Sequence, residues 1–522
     1  MITARDTRIL FACIVLALLG GCATLPERPQ VPVMSSIAPA ADAPLDRAVE
    51  EAEARHPGAS GFRLVIEGME AFVIRAQSAR LAARTLDVQT YIWHDDATGR
   101  YLAQTLLEAA DRGVRVRLLV DDLDARGKNV GFAALAAHPN IEVRMFNPFA
   151  SRSGKVSLAS EGLRHFGRIN RRMHNKSWIA DNRIALVGGR NLGNEYFTAS
   201  HEVNFVDLDF AMVGPVVRDI SASFDRFWNS DSVWPIELLD AAAVNESALE
   251  QLRGKLAEST AGAGSGHYAQ ALRENDGIRR LVSGDWELRW STNYKFVSDD
   301  PAKVTMEKKD AARAVVGAAV VKVLREAQTS LEVISPYFVP GKAGTEVLTG
   351  RAAAGADVRI LTNSLAANDV ATVHGGYSRH RKALLEGGVK LWELKRLAQE
   401  QAPEDAKKKT SSFAGSSGAS LHTKALSADG SLVFVGSYNL DPRSTWLNCE
   451  QGVLVGDPVL AKQLGGIFEV QTGGSRAWHV TLEKKDLRWS DGTQTLDSEP
   501  GASGWRKFQA WFARAFHMDA QL

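Results

Sequence analysis

The feature that most constrains this chain is that it is written twice. Leu86-Asp87-Val88-Gln89-Thr90-Tyr91-Ile92-Trp93 reads as a strand, and Leu102, Leu106, Leu107 and Ala110 follow at helical spacing. Gly113-Val114-Arg115-Val116-Arg117-Leu118-Leu119-Val120 then alternates into a buried strand ending at Asp121-Asp122. The second half replays this order with Leu331-Glu332-Val333-Ile334-Ser335, a helix over about 345–354, and Gly355-Ala356-Asp357-Val358-Arg359-Ile360-Leu361-Thr362. A further short strand follows in each, Ile141–Met145 and Gly388–Trp392. The offsets are 245 from Leu86 to Leu331, 242 from Gly113 to Gly355 and 246 from Val143 to Val389. Near-constant displacement is the signature of an internal repeat. Strands alternating with helices predict two α/β units with mostly parallel strands. At 522 residues and 45% hydrophobic content the chain can bury a large core without a metal or disulfide staple.

Each unit closes on the same constellation. His174-Asn175-Lys176 is followed, after four residues, by Asp181, and His422-Thr423-Lys424 by Asp429, at an offset of 248. Next comes a strand and a tight turn, Ala185-Leu186-Val187-Gly188-Gly189-Arg190-Asn191 and Val433-Phe434-Val435-Gly436-Ser437-Tyr438-Asn439. Residues i and i+2 of a strand share a face, so His174 projects with Lys176 and His422 with Lys424. A lone His-x-Lys on a strand is usually a solvated edge. Its repetition with matched Gly and Asn downstream points to chemistry instead. Lysines neutralise a phosphodiester, asparagines donate to it, and two histidines can divide the work of nucleophile and general acid. The aspartates lie past a turn and are expected to position neighbours rather than react.

This doubled His-x-Lys-x4-Asp pattern, with Gly-Gly or Gly-Ser and Asn after it, resembles the phospholipase D superfamily over roughly residues 60–490. The resemblance implies two fused phospholipase D-like α/β sandwich halves with one active site at their interface. It also implies a histidine nucleophile, no metal and no cofactor. Carried over, the catalytic set is His174, Lys176, Asn191, His422, Lys424 and Asn439, with Asp181 and Asp429 in support. A downstream acid in each half falls on Glu450 and on Asp207 or Asp209. Spacing does not fix which histidine is the nucleophile; analogy favours His174. Pro336-Tyr337-Phe338-Val339-Pro340 and Gly436-Ser437-Tyr438-Asn439-Leu440-Asp441-Pro442-Arg443-Ser444 are similar to bacterial cardiolipin synthases. Asn170-Arg171-Arg172-Met173-His174-Asn175-Lys176 and the run Thr362–Val370 look like their C branch.

The implied activity is phosphatidyl transfer between phospholipids, with a phospholipase D hydrolase or a periplasmic nuclease as alternatives. A non-catalytic lipid-binding lipoprotein would need a degraded half-site, and both are complete. Substrates expected from the resemblance are phosphatidylglycerol and, as a second candidate, phosphatidylethanolamine; an accessory protein would leave no mark on these motifs. Formal net charge is +1, which lacks the basic surplus a nucleic-acid groove draws on. Arg171 and Arg172, in a run with Arg164 and Arg168, are candidates for a second phosphate. Tyr337, Ser437 and Arg443 are further candidate substrate contacts.

The N-terminus reads as a processing segment. Arg5 and Arg8 precede an apolar run, Ile9–Leu19, too short to span a bilayer. Leu19-Gly20-Gly21-Cys22 then looks like a bacterial lipobox, which implies a lipidated Cys22 and a membrane tether. The expected location is the periplasmic side, at the inner leaflet of the outer membrane rather than the inner membrane. The expected organisation is a signal peptide over 1–21, a lipidated linker over 22–45, a first half over 46–245 and an insertion over 246–275. A second half follows over 276–495. Residues 496–522 form an amphipathic tail in which Trp505, Phe508, Phe512 and Phe516 recur at helical spacing beside Arg506, Lys507 and Arg514. Such a tail suits either a docked core helix or a helix lying in a membrane interface.

Overall fold

The computed structural model describes residues 25–515 apart from 29, 41, 126–130, 151–160, 162–165, 201–202, 264–285, 306–313 and 397–419. The expected signal peptide, Cys22, Arg164 and Phe516 lie outside the described residues.

The first half supplies strands β1 (Ser60–Val65), β2 (Thr85–Thr90), β3 (Arg115–Asp121), β4 (Ile141–Phe146), β5 (Ser177–Ala180), β6 (Ile184–Gly188) and β7 (Asp209–Val213). The second supplies β8 (Tyr294–Ser298), β9 (Ser330–Ile334), β10 (Asp357–Asn363), β11 (Lys390–Leu394), β12 (Ala425–Ala428), β13 (Leu432–Gly436) and β14 (Gln451–Gly456). Their spatial orders are β1-β7-β6-β5-β2-β3-β4 and β8-β14-β13-β12-β9-β10-β11, the same permutation twice. The duplication read from the sequence is therefore a duplication of topology. Short added strands extend both sheets at their edges.

The expectation of mostly parallel strands is corrected. Among the described residues of these two sheets, only β2-β3-β4 and β9-β10-β11 are parallel; their neighbours run antiparallel. The reason is local. Parallel neighbours need a long crossover, whereas a tight turn can join only antiparallel strands. Helices separate β2 from β3 and β9 from β10, but β5–β6 and β12–β13 turn directly at Asp181 and Asp429, both at φ +52°.

The helices that matter to the site and its frame are α1 (Gly68–Leu81), α2 (Ala97–Asp111), α3 (Pro215–Trp228) and α4 (Glu246–Ala263), then α5 (Val315–Glu326), α6 (Gly341–Ala353), α7 (Ala371–Ser378), α8 (Pro442–Trp446), α9 (Pro458–Thr472) and α10 (Gly504–Ala515). Asp96 caps α2 by accepting from the Gly99 N–H. Gly113 and Gly355, at φ +92° and +99°, turn the chain from α2 and α6 into β3 and β10.

Strand alternation sends side chains to two cores. Leu86, Val88, Val116 and Leu118 pack outward under α1 and α2, and Leu331, Val333, Val358 and Ile360 under α5 and α6. The inward faces share one central core, in which Ala185 and Val187 of β6 meet Val433 and Val435 of β13 with α3 and α9 between the sheets. This shared core joins the halves rigidly enough for one site to draw on both. The expected insertion packs on the first half, where α4 buries Leu249, Leu252 and Leu256. The described part of the expected linker lies along the first half. Arg28 pairs with Asp231 at 2.8 Å, and the Ser36 N–H donates to the Asp225 carboxylate. Among the described residues no helix is long and apolar enough to cross a membrane.

Candidate active site

Each histidine enters the site on backbone from the opposite half. The His174 N–H donates to the Cys449 carbonyl at 2.8 Å, and the Cys449 N–H donates to the Arg172 carbonyl. In the mirror position Ser420–Leu421 pairs with Phe205–Val206, and the His422 N–H donates to the Val206 carbonyl at 2.9 Å. One residue beyond each partner lies an acid, Glu450 and Asp207. The pairing therefore puts His174 Nδ1 2.9 Å from Glu450 and His422 Nδ1 2.6 Å from Asp207. Neither motif histidine takes its acid from its own half.

An ionised carboxylate can only accept, so Nδ1 of each ring carries the hydrogen and Nε2 keeps its lone pair. The electrostatics agree. Burial first, and neighbouring lysines after it, pull His174 down to about 4 and His422 to about 3. Burial pushes Glu450 and Asp207 up, yet the imidazole and lysine beside each bring both below the ordinary carboxyl range. At pH 7 the site thus holds two carboxylates and two neutral imidazoles. Lys176 and Lys424 donate back to the carbonyls of His174 and His422 at 2.7 and 2.5 Å. Burial lowers them to about 7 and about 8, and a bound anion would favour their charged forms.

His174 and His422 line one cavity of about 330 Å³, with Asn191, Asn439, Tyr337 and Arg443 also in its wall. Asn191 is held by donating to the Tyr196 hydroxyl and accepting from the Ile92 N–H. Tyr337 donates to Asp369, and Arg443 donates to Asn170 from α8. Tyr91 meets the His174 ring edge-on and Tyr196 does the same for His422. The turn residues explain their glycine or serine. A Cβ on Gly189 would sit 2.2 Å from Asp207 Oδ1, whereas the equivalent Ser437 uses its hydroxyl to donate to Glu450 at 2.5 Å.

Several expected site residues stand elsewhere. Asp181 accepts from the N–H groups of Ala83, Arg84 and Thr85, and Asp429 from those of Gln328, Thr329 and Ser330. Both lie at the far end of the strand that follows the lysine and clamp the entry to β2 and β9. Their place in the catalytic set is withdrawn. Arg172 is buried in an ion pair with Asp121 at 2.6 Å and does not reach the cavity. Arg171 reaches the Lys303 and Val304 carbonyls, and Arg168 holds Asn147 and Glu161. Ser437 stands behind His174 rather than in the cavity wall. Asp209 binds Arg75, which leaves Asp207 as the first half's acid. Tyr91, Tyr196, Phe205, Asp369 and Asp441 also stand in the wall and were not singled out from sequence. Asp369 and Asp441 each carried a signal, inside the quoted Thr362–Val370 and Gly436–Ser444 runs.

A mixed sheet duplicated around two His–Lys pairs defines a phospholipase D-like enzyme. The chain belongs to the family described as "Cardiolipin synthase, PLD-like domain", which matches residues 76–228 and 320–471, one match per half. Cardiolipin synthase C of Escherichia coli strain K12 is 40% identical over 466 residues, covering 87% of this chain and 94% of that one. Cardiolipin synthase A of Pseudomonas syringae pv. syringae is 26% identical over 405 residues, covering 77% and 66%. The solved phosphatidylserine synthase of Haemophilus influenzae Rd KW20 shares the fold, with a TM-score of 0.54 at 14% identity over 91% of this chain and 100% of that one.

Proposed function

We propose that the protein moves a phosphatidyl group from one phosphatidylglycerol to a hydroxyl of a second phospholipid, as the names of its relatives suggest. The observation that carries this reading is the crossed pair of imidazoles opening on one cavity. His174 Nε2 attacks phosphorus, a P–N bond forms, and the P–O bond to the leaving glycerol breaks. His422, protonated at Nε2, passes that proton to the leaving oxygen. The acceptor hydroxyl then returns a proton to His422 while its oxygen displaces His174. His422 must first gain its proton. The phosphodiester's negative charge opposes the two lysines and favours the imidazolium. Arg443 is the cation placed to meet the acceptor's phosphate, and Tyr337 the ring placed along its glycerol.

The acceptor decides between transfer and hydrolysis. Purified protein given labelled phosphatidylglycerol, with and without phosphatidylethanolamine, should release glycerol and build labelled cardiolipin. Phosphatidic acid as the sole product would make water the acceptor and the protein a hydrolase. The reading also places the chain on the periplasmic side, tethered through Cys22 to the inner leaflet of the outer membrane. Palmitate labelling should be lost in Cys22→Ala, and label retained by that variant would refute the tether.

A further inference from the structure

We infer that helix α10 is an interfacial anchor that seats the mouth of the catalytic cavity on the surface of an anionic phospholipid bilayer. The helix docks on α7 by its small face. Ala510 and Ala513 are buried there, and a Cβ on Gly375 of α7 would meet both. Arg506 ties the same face to the Leu365 and Asn368 carbonyls. The opposite face is left outward and aromatic: Trp505 is 64% exposed, Phe508 48% and Trp511 51%, with Phe512 beside them. A helix that packs by alanine and exposes four large rings has its apolar surface on the wrong side for a water-soluble role.

Charge and position select the occupant. The helix contains Arg506, Lys507 and Arg514 and no acidic residue. Lys507 and Arg514 fall between the docked face and the aromatic face, where side chains of an interfacial helix reach lipid headgroups. Tryptophan is the residue that favours this boundary, with an apolar body and a polar N–H. The carbonyl of Asn368 that Arg506 holds immediately precedes Asp369 and Val370, which line the cavity together with Val373 of α7. Val370 adds an exposed apolar side chain at the same rim. The first half has no counterpart among its described residues, so the site would approach lipid from the second half's side. The phospholipid substrate of the proposed reaction is then drawn from the surface the helix rests on.

Vesicle binding tests this without relying on chemistry. Full-length protein carrying Cys22→Ser, so that no lipid on that thiol can hold it, is sedimented with vesicles of phosphatidylethanolamine and phosphatidylglycerol. Trp505→Ser/Phe508→Ser/Trp511→Ser should weaken binding roughly tenfold or more. Turnover of a monomeric short-chain phosphatidylglycerol should stay at the parent level, which also shows that the variant is folded. If the triple variant is not folded, Lys507→Glu/Arg514→Glu takes its place and should lose binding to these vesicles. Parent-level vesicle binding in the folded variant overturns the inference and assigns the aromatic face to another partner. Normal vesicle binding by a parent that transfers no phosphatidyl group would sink the proposed function and leave the anchor standing.

Discussion

The two half-sites solve one problem with different parts. In one, His174 is held by a glutamate whose other support is the Ser437 hydroxyl. In the other, His422 is held by a shorter aspartate that crowds against Gly189, where no side chain fits. The acid is a methylene longer where the turn offers a hydroxyl, and shorter where the turn offers only backbone. Both acids come from the half that does not own the histidine. Duplication has thus produced two exchanged pairs rather than two copies of a working site. Neither half can be trimmed away without removing the partner of the other half's histidine.

The largest difference expected between the half-sites is between the histidines themselves. His422→Ala should lose phospholipid turnover by roughly 10²–10⁴-fold, the ordinary worth of a general acid. It should retain turnover of an aryl phosphodiester whose phenol leaves without a proton. His174→Ala should lose both. The reverse pattern would exchange the two roles, and near-normal phospholipid turnover in either variant would break the paired-site reading.

The turn residues should separate the half-sites next. Gly189→Ala forces its methyl onto the Asp207 carboxylate, a packing insult of about 1–3 kcal/mol, and should move the acid off His422 and cut kcat. Ser437→Ala only deletes a donor to Glu450, about 1.5–3 kcal/mol for a bond to a charged group, and its kcat should fall less. Steady-state kinetics with thermal melts on both variants would decide; a larger kcat loss in Ser437→Ala would overturn the contrast.

The pH profile sharpens the comparison further. Free-enzyme kcat/KM should fall at high pH as Lys176 and Lys424, held down by burial at about 7 and about 8, lose their protons. Glu450 favours the charged form of Lys176, and Asp207 that of Lys424. Glu450→Gln and Asp207→Asn should therefore each move the alkaline limb to lower pH. Stability runs the other way. The unfolded chain binds more protons than the folded one from those values up to the ordinary lysine range, so stability rises with pH across that window. An alkaline limb that stays put in both variants would remove the lysines from phosphate binding.

The smallest effect on turnover belongs to the motif aspartates. Asp181→Asn and Asp429→Asn should keep kcat while losing about 1–3 kcal/mol of stability, as expected when a carboxylate bonded to backbone N–H groups is weakened. Asp429 holds the more exposed clamp and should cost less. A kcat loss at constant stability would return these residues to the site.

Most of this was legible where the repeat is regular. The 248-residue offset found both histidines, lysines and asparagines, and all six stand at or beside one cavity. The acids were harder because the offset from Asp207 to Glu450 is 243. The stretch after Asn191 carries five more residues than the one after Asn439, so counting left Asp207 and Asp209 open. Only the strand pairing resolves them. The exchange of acids between halves was not legible at all, since it depends on contacts between residues more than two hundred positions apart. Arg172 misled because a run of arginines reads as a basic surface, while this one turns inward to Asp121.

The claim that a histidine from one half attacks phosphorus inside a site completed by the other is tested most directly by trapping the intermediate. Protein mixed with phosphatidylglycerol labelled in the phosphatidyl group is quenched within a turnover, and the acid-labile adduct is mapped by mass spectrometry. Label is expected on His174, absent in His174→Ala and retained in His422→Ala with an aryl phosphodiester donor. Full phospholipid turnover with no label on either His174 or His422 would contradict the covalent route.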